Sequence, residues 1–159
     1  MTARVIGTDG PLCALLADAP AGLVVVALPP TAGPVGALPT EELAHLIDVM
    51  LLPAFGALRE AADDHLRTVV VCPASACVPD HRDGARSVVG AGVAMLAAAA
   101  SASHTVNVVA AADDTPIEEV AATVRFLLSD VAPSLNGAII RMDGGRDAVL
   151  SADTRAEGD

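Results

Sequence analysis

Leu23-Val24-Val25-Val26-Ala27-Leu28 and Thr68-Val69-Val70-Val71-Cys72 are nearly unbroken apolar runs of strand length, β-branched at their centres. A strand with one solvated face alternates apolar and polar residues. A run without alternation predicts a strand buried on both faces, the condition of a parallel sheet between two helical layers. Outward from these runs, longer segments of helical period alternate with further short strands. Arg4-Val5-Ile6 reads as a first strand and residues 11–18 as a short helix. A Pro/Gly loop over 29–39 leads to Thr40, an expected N-cap, with Glu41 and Glu42 in the first turn. The helix it opens runs to His65, with a kink expected at Pro53. A small-residue helix over 85–102 precedes a strand over 106–110. Thr115-Pro116-Ile117-Glu118 then reads as a capping box opening another helix, and 137–142 as a last strand. The expected fold is a three-layer α/β/α Rossmann-like parallel sheet, shortened at its N-terminal side. It forms one domain over 1–145, followed by a charged, frayed tail over 146–159.

Composition narrows the function classes. The chain has 159 residues, enough to bury roughly two-thirds of its unfolded surface. Hydrophobic residues make up 53%, with Phe55 and Phe126 as the aromatics, so the core must be built from Val, Leu and Ala. Net charge is −11, which repels phosphate backbones and anionic membrane surfaces and argues against nucleic acid. Prolines at 29, 30, 53 and 73 interrupt every apolar run before membrane-spanning length. Together with the absence of a signal-peptide pattern after Met1, this makes a cytoplasmic location the default expectation. Cys13, Cys72 and Cys77 stand in no metal-ligand spacing, and neither a metal nor a disulfide framework is expected.

Ile117-Glu118-Glu119-Val120-Ala121-Ala122-Thr123-Val124-Arg125-Phe126-Leu127-Leu128-Ser129-Asp130, then Leu135-Asn136-Gly137 and Met142-Asp143-Gly144-Gly145, resemble the C-terminal part of the short-chain dehydrogenase/reductase family. The helix over 42–55, the strand over 68–74 and the strand at Val106-Asn107 extend the resemblance, which spans Leu23 to Gly145. It implies a reductase scaffold in which a Tyr moves a proton, a Lys lowers that Tyr's pKa and holds the ribose, a Ser orients the carbonyl, and an Asn lies on the preceding helix. This chain has no Tyr, and its nine basic residues are all Arg. Aligned with the family, Arg86 falls at the Tyr position, Gly90 at the Lys position and Met50 at the Asn position, while the Ser position lies within Pro73-Ala74-Ser75. The family's cofactor turn is reduced to Ile6-Gly7-Thr8-Asp9-Gly10-Pro11, where a carboxylate opposes a phosphate and Pro11 removes a donor. Its substrate-covering segment is reduced to Asp113-Asp114. Hydride transfer needs a positioned cofactor and a proton source, so no nicotinamide cofactor is expected. The leading expectation is a non-reducing structural or regulatory subunit, and whether it is an enzyme at all stays open.

Two features remain for function. Ser75, Cys77, Asp80 and His81 gather in one loop at the C-terminal end of a parallel strand, the edge where open α/β sheets bind ligands. Cys77 with His81 could form a nucleophile–base pair, or His81 with Asp80 an acid–base pair. Either suits a cyclase, isomerase or dehydratase of a biosynthetic pathway acting on a small molecule. The plainer reading makes Cys77 a small buried hydrophobe and 80–83 a solvated loop. Arg86 could bind a carboxylate or phosphate, or cap the loop. The second feature is a helix pair, 42–65 and 85–102, which in the resembling family builds a contact between subunits. Gly90, Ala91, Gly92, Ala94 and residues 97–100 leave the second helix nearly uncharged all round. One face covers the sheet, and the other suits a homo-oligomer or a hetero-oligomer with a related dehydrogenase, with Gly92 or Ala99 at the closest approach.

Overall fold

The computed structural model describes residues 2–7, 10–29, 33–78 and 83–145. Five strands form one parallel sheet in the order β1 (Arg4–Gly7), β2 (Leu23–Val26), β3 (Thr68–Pro73), β4 (Val106–Ala111) and β5 (Ile139–Met142). Every residue of β2, β3 and β4 is buried, as unbroken apolar runs require. Side chains alternate between two cores. Leu23, Val25, Val70, Cys72, Val106, Val108 and Ala110 face one helical layer. Val24, Val26, Val69, Val71, Val109 and Ala111 face the other. The three-layer expectation holds, with Val and Leu filling both interiors.

The first layer contains α2 (Thr40–Leu46), α3 (Leu52–Asp63) and α4 (Gly84–Ala100). The second contains α1 (Pro11–Leu15) and α5 (Ile117–Leu128). Because the strand order is monotonic, connections over opposite faces of the sheet have opposite hands. Two of the four crossovers therefore depart from the right-handed rule. The consequence matters for ligands. Neighbours β1 and β2, and likewise β3 and β4, send their C-terminal loops to opposite faces, which parts the loops into a crevice.

Local expectations fared unevenly. Thr40 is the first residue of α2 and makes no capping bond; Pro39 occupies the cap position. Thr115 does not close a capping box either, because its hydroxyl donates to the Met142 carbonyl at 2.6 Å and so ties β5 to the loop before α5. Tertiary contact outcompeted the local cap. The expected disturbance at Pro53 takes a definite form. The turn before it widens into a π-helical segment, Ile47–Leu51, whose longer-range bonding accommodates the missing donor. The first helix ends at Leu15, three residues early. Arg125 holds its end by donating from Nη2 to the Leu15 carbonyl and to Asp18 Oδ1, the latter at 2.7 Å. That guanidinium holds the Asp18 carboxyl below its usual range. Arg67 plays the matching part for α5, donating from Nη1 to the Leu128 carbonyl at 3.0 Å and to that of Ser129. Cations and donors at a helix C-terminus satisfy carbonyls that have no partner within the helix.

The end of α3 is a Schellman turn. Leu66 N–H donates to the Ala61 carbonyl at 2.8 Å and His65 N–H to the Ala62 carbonyl at 3.3 Å. His65 carries the left-handed conformation, φ 52°, that glycine ordinarily supplies there. His65→Gly is expected to raise stability by about 0.5–1 kcal/mol, the net of relieved left-handed strain and added chain entropy. The same change removes the His65 ring, which after desolvation is the second cause that pushes the pKa of the buried His104 ring down. Urea denaturation checks it; a loss of stability would show that the His65 side chain contributes contacts that outweigh the strain.

Candidate functional site

The crevice between β3 and β4 collects the polar residues. Beyond Pro73 the chain makes a 3₁₀ turn over Ala74–Ala76, and Ser75 donates from its hydroxyl to Asp83 Oδ2 at 2.7 Å. Asp83 stands at the N-terminus of α4. One turn further on, the Arg86 side chain is only 12% exposed, with Nε 3.9 Å from Asp83 Oδ2. Its Nη1 is ion-paired with Asp113, in the loop after β4, whose side chain is 71% exposed. The register Pro73↔Ala111 brings the two loops together. A chain Ser75–Asp83–Arg86–Asp113 thus spans the crevice from one loop to the other.

Of the loop residues singled out from sequence, Ser75 and Cys77 are described, whereas Asp80 and His81 lie outside the described residues, as does the tail over 146–159. Cys77 is half-buried, and its amide donates to the Ala74 carbonyl at 3.0 Å. Burial pushes its thiol up, offset by Arg141 and reinforced by Asp143. Cys72, wholly buried on β3, is pushed up to about 12 by burial and by Cys77. A raised thiol pKa is the reverse of what activates a cysteine nucleophile. Ser75 has its hydroxyl proton committed to a carboxylate acceptor, which positions it but makes Asp83 its partner rather than a histidine.

Sequence reasoning missed Asp83 and Asp113 as members of this constellation. Asp83 lies three residues before Arg86 on the same segment, a spacing visible in the sequence. Asp113 reaches Arg86 from the loop after β4, for which opposite charge at the ends of neighbouring parallel strands was the available signal. It also missed Asn107, fully buried on β4. Its Nδ2 donates to the Leu135 carbonyl at 2.9 Å, and its Oδ1 accepts the Ala138 amide at 3.0 Å, clamping the connection from α5 to β5.

Gly90 and Gly92 show what α4 packs against. A β-carbon at Gly90 would lie 2.9 Å from Ala76 Cβ and 3.0 Å from the Pro73 ring. No side chain fits there. A β-carbon at Gly92 would lie 3.1 Å from Leu51 Cδ1, so Gly92 serves the packing of α4 on the π-helical segment within this chain. Met50, on that segment, is buried in the core.

A second opening, a cleft of about 540 Å³, lies where β5 ends and α5 begins. It is lined by Asp114, Thr115, Pro116, Glu119, Arg141, Met142, Asp143 and Gly144. Three carboxylates against one guanidinium make it unfavourable for an anion despite the α5 N-terminus beside it. Among the described residues no group of His, Cys, Asp or Glu is arranged to hold a metal, and no helix is long and apolar enough to cross a membrane.

The described structure can be set beside known proteins. No family model matches the sequence, and no curated protein does. A crystal structure of a short chain dehydrogenase from Mycobacterium avium superposes with a TM-score of 0.69 at 24% identity. The fold is that of a short-chain dehydrogenase. The match covers 77% of this chain and 50% of that one, so the chain spans half the length of the dehydrogenase it superposes on. The resemblance seen in the sequence is thereby sustained at the level of fold.

A dehydrogenase fold implies a dinucleotide in the crevice between β1 and β2, and the residues present do not fit one. The helix that would receive the pyrophosphate, α1, has five residues, with Pro11 in its first turn, so few amides and little dipole are available. Gly7, at the end of β1 with φ 148°, lies against β2: a β-carbon there would fall 2.2 Å from the Val26 carbonyl oxygen. Its bareness serves strand contact rather than a phosphate. Thr8 and Asp9 lie outside the described residues.

Proposed function

We propose that this chain is a non-reducing protein on a short-chain dehydrogenase scaffold, acting as a structural or regulatory subunit in an assembly. The observation that carries the proposal is the state of α4 at the crevice. At the position where a reductase of this fold keeps its lysine, Gly90 has Pro73 and Ala76 within about 3 Å of any added β-carbon. One turn earlier, at the tyrosine position, Arg86 is held between Asp83 and Asp113. Proton transfer at neutral pH needs a group whose pKa lies near the working pH, and a guanidinium always stays protonated.

The subunit part of the proposal draws on the outer face of the helix pair. Val49 on the π-helical segment, Leu52 and Phe55 on α3, and Val88 and Met95 on α4 are all exposed, whereas Val89, Val93, Ala94 and Ala97 pack inward. Such a face is apolar enough to be covered by a second copy of this chain or by a catalytically complete protein of the same fold. The test of the non-reducing reading is an assay of the chain with NADPH or NADH and a panel of ketones and aldehydes. The expected result is no nucleotide oxidation above the buffer rate. Oxidation that disappears in Arg86→Ala would overturn it.

A further inference from the structure

Arg86 is a fixed cation whose outer end is covered by a solvent-exposed carboxylate. Its side chain is nearly all buried, and Asp83 stands behind it 3.9 Å from Nε, itself held by the Ser75 hydroxyl at 2.7 Å. Asp113, on Nη1, is by contrast 71% exposed. Water and ions reach the exposed carboxylate, so another oxyanion can compete for its place on Nη1. Nε, on the Asp83 side, is buried without a hydrogen-bond acceptor, so Nη1 at the outer end is where the guanidinium can exchange a partner. The strand register places this group at the mouth of a loop crevice rather than inside the core.

We infer that Arg86 is the binding residue for a small oxyanion, a carboxylate or a phosphate monoester, and that Asp113 is the internal stand-in that the ligand displaces. The ligand takes the place of one carboxylate by another oxyanion with better fork geometry, so the exchange keeps the buried charge paired throughout. The acidic surroundings set the direction of selection. With a net charge of −11, the chain repels anions in general, and only one able to replace Asp113 on Arg86 gains by entering. The inference does not rest on the subunit reading: a subunit in an assembly could lack this site, and a monomer could possess it.

The test uses the full chain, titrated in parallel with inorganic phosphate and with acetate at constant ionic strength. The readout is the Arg86 Nε–H resonance in protein labelled with ¹⁵N-arginine. In the unaltered chain the Arg86 signal is expected to shift with saturation while exposed arginines shift linearly or not at all. In Asp113→Asn, which removes the competitor and one repelling charge, the apparent Kd is expected to fall by at least roughly tenfold, one charge-assisted hydrogen bond's worth. In Asp113→Asn/Arg86→Met the saturable thermal stabilisation by the same anion is expected to vanish. Response to acetate would assign the carboxylate class, and response to phosphate alone the phosphoryl class. An Arg86 resonance in Asp113→Asn that neither anion moves would overturn the inference, and that measurement needs no change at Arg86. Equal stabilisation of the single and double variants would overturn it as well.

Discussion

Asn107→Leu is expected to lower the unfolding free energy by about 2–4 kcal/mol, a large part of the stability of a domain of this size. Leucine matches asparagine closely in shape, so little volume changes. What is lost is the pair of bonds that asparagine alone makes: its amide donates to the Leu135 carbonyl and its oxygen accepts the Ala138 amide. Both backbone groups belong to the connection that delivers β5 to the sheet, and the next link depends on it. Val108 N–H donates to the Ala138 carbonyl at 2.8 Å, which starts the β4–β5 ladder. Losing the clamp leaves a donor and an acceptor unpaired at the sheet edge. Urea denaturation should show a lower midpoint with an unchanged slope. A loss below about 1 kcal/mol would mean that water satisfies both groups as well as the side chain does.

If the outer face of the helix pair is a subunit contact, as proposed, Phe55→Glu, and independently Met95→Glu, should convert the assembly to monomers while leaving the fold intact. The two side chains are 50% and 65% exposed on one chain, so neither substitution removes much internal packing. At a subunit contact each would place a carboxylate in an apolar interface. That costs several kcal/mol, enough to shift a dissociation constant by orders of magnitude. Light scattering after size exclusion should report a dimer or larger for the unaltered chain at micromolar concentration, and monomers for the variants. An unaltered chain that is monomeric would remove the subunit reading of this face.

How far the sequence disclosed this molecule follows from where the determining forces are local. The buried strands were legible because burial on both faces leaves a one-dimensional mark, as in the run at Leu23 and the run at Thr68. The helix caps were not. Thr115 has every local attribute of a cap, yet its hydroxyl bonds to Met142, a partner 27 positions away that no window contains. Pro53 was rightly seen as a disturbance, but that it takes the form of a widened turn depends on what the helix packs against. The crevice was half legible. Ser75 and Arg86 were visible as chemistry-bearing residues near a strand end. Asp83 stands three residues before Arg86 on the same segment, whereas Asp113 became visible only once the register of β3 against β4 joined two loops. The close approach that bars a side chain from Gly90 is likewise a tertiary fact. From sequence, the glycine showed only that a lysine was missing.

The central claim, that the scaffold of a dehydrogenase is here without its hydride chemistry, meets its most direct test in equilibrium binding of the nucleotide. The full chain is titrated into NADPH and into NADH, followed by nucleotide fluorescence and by calorimetry. A five-residue α1 led by proline, and a Gly7 bound up with Val26, leave the pyrophosphate without a cradle. The account expects flat titrations for both nucleotides at every protein concentration up to about 100 μM, where even binding with a Kd near 100 μM, about −5.5 kcal/mol, would register. Saturable binding of either nucleotide with a micromolar Kd would contradict it.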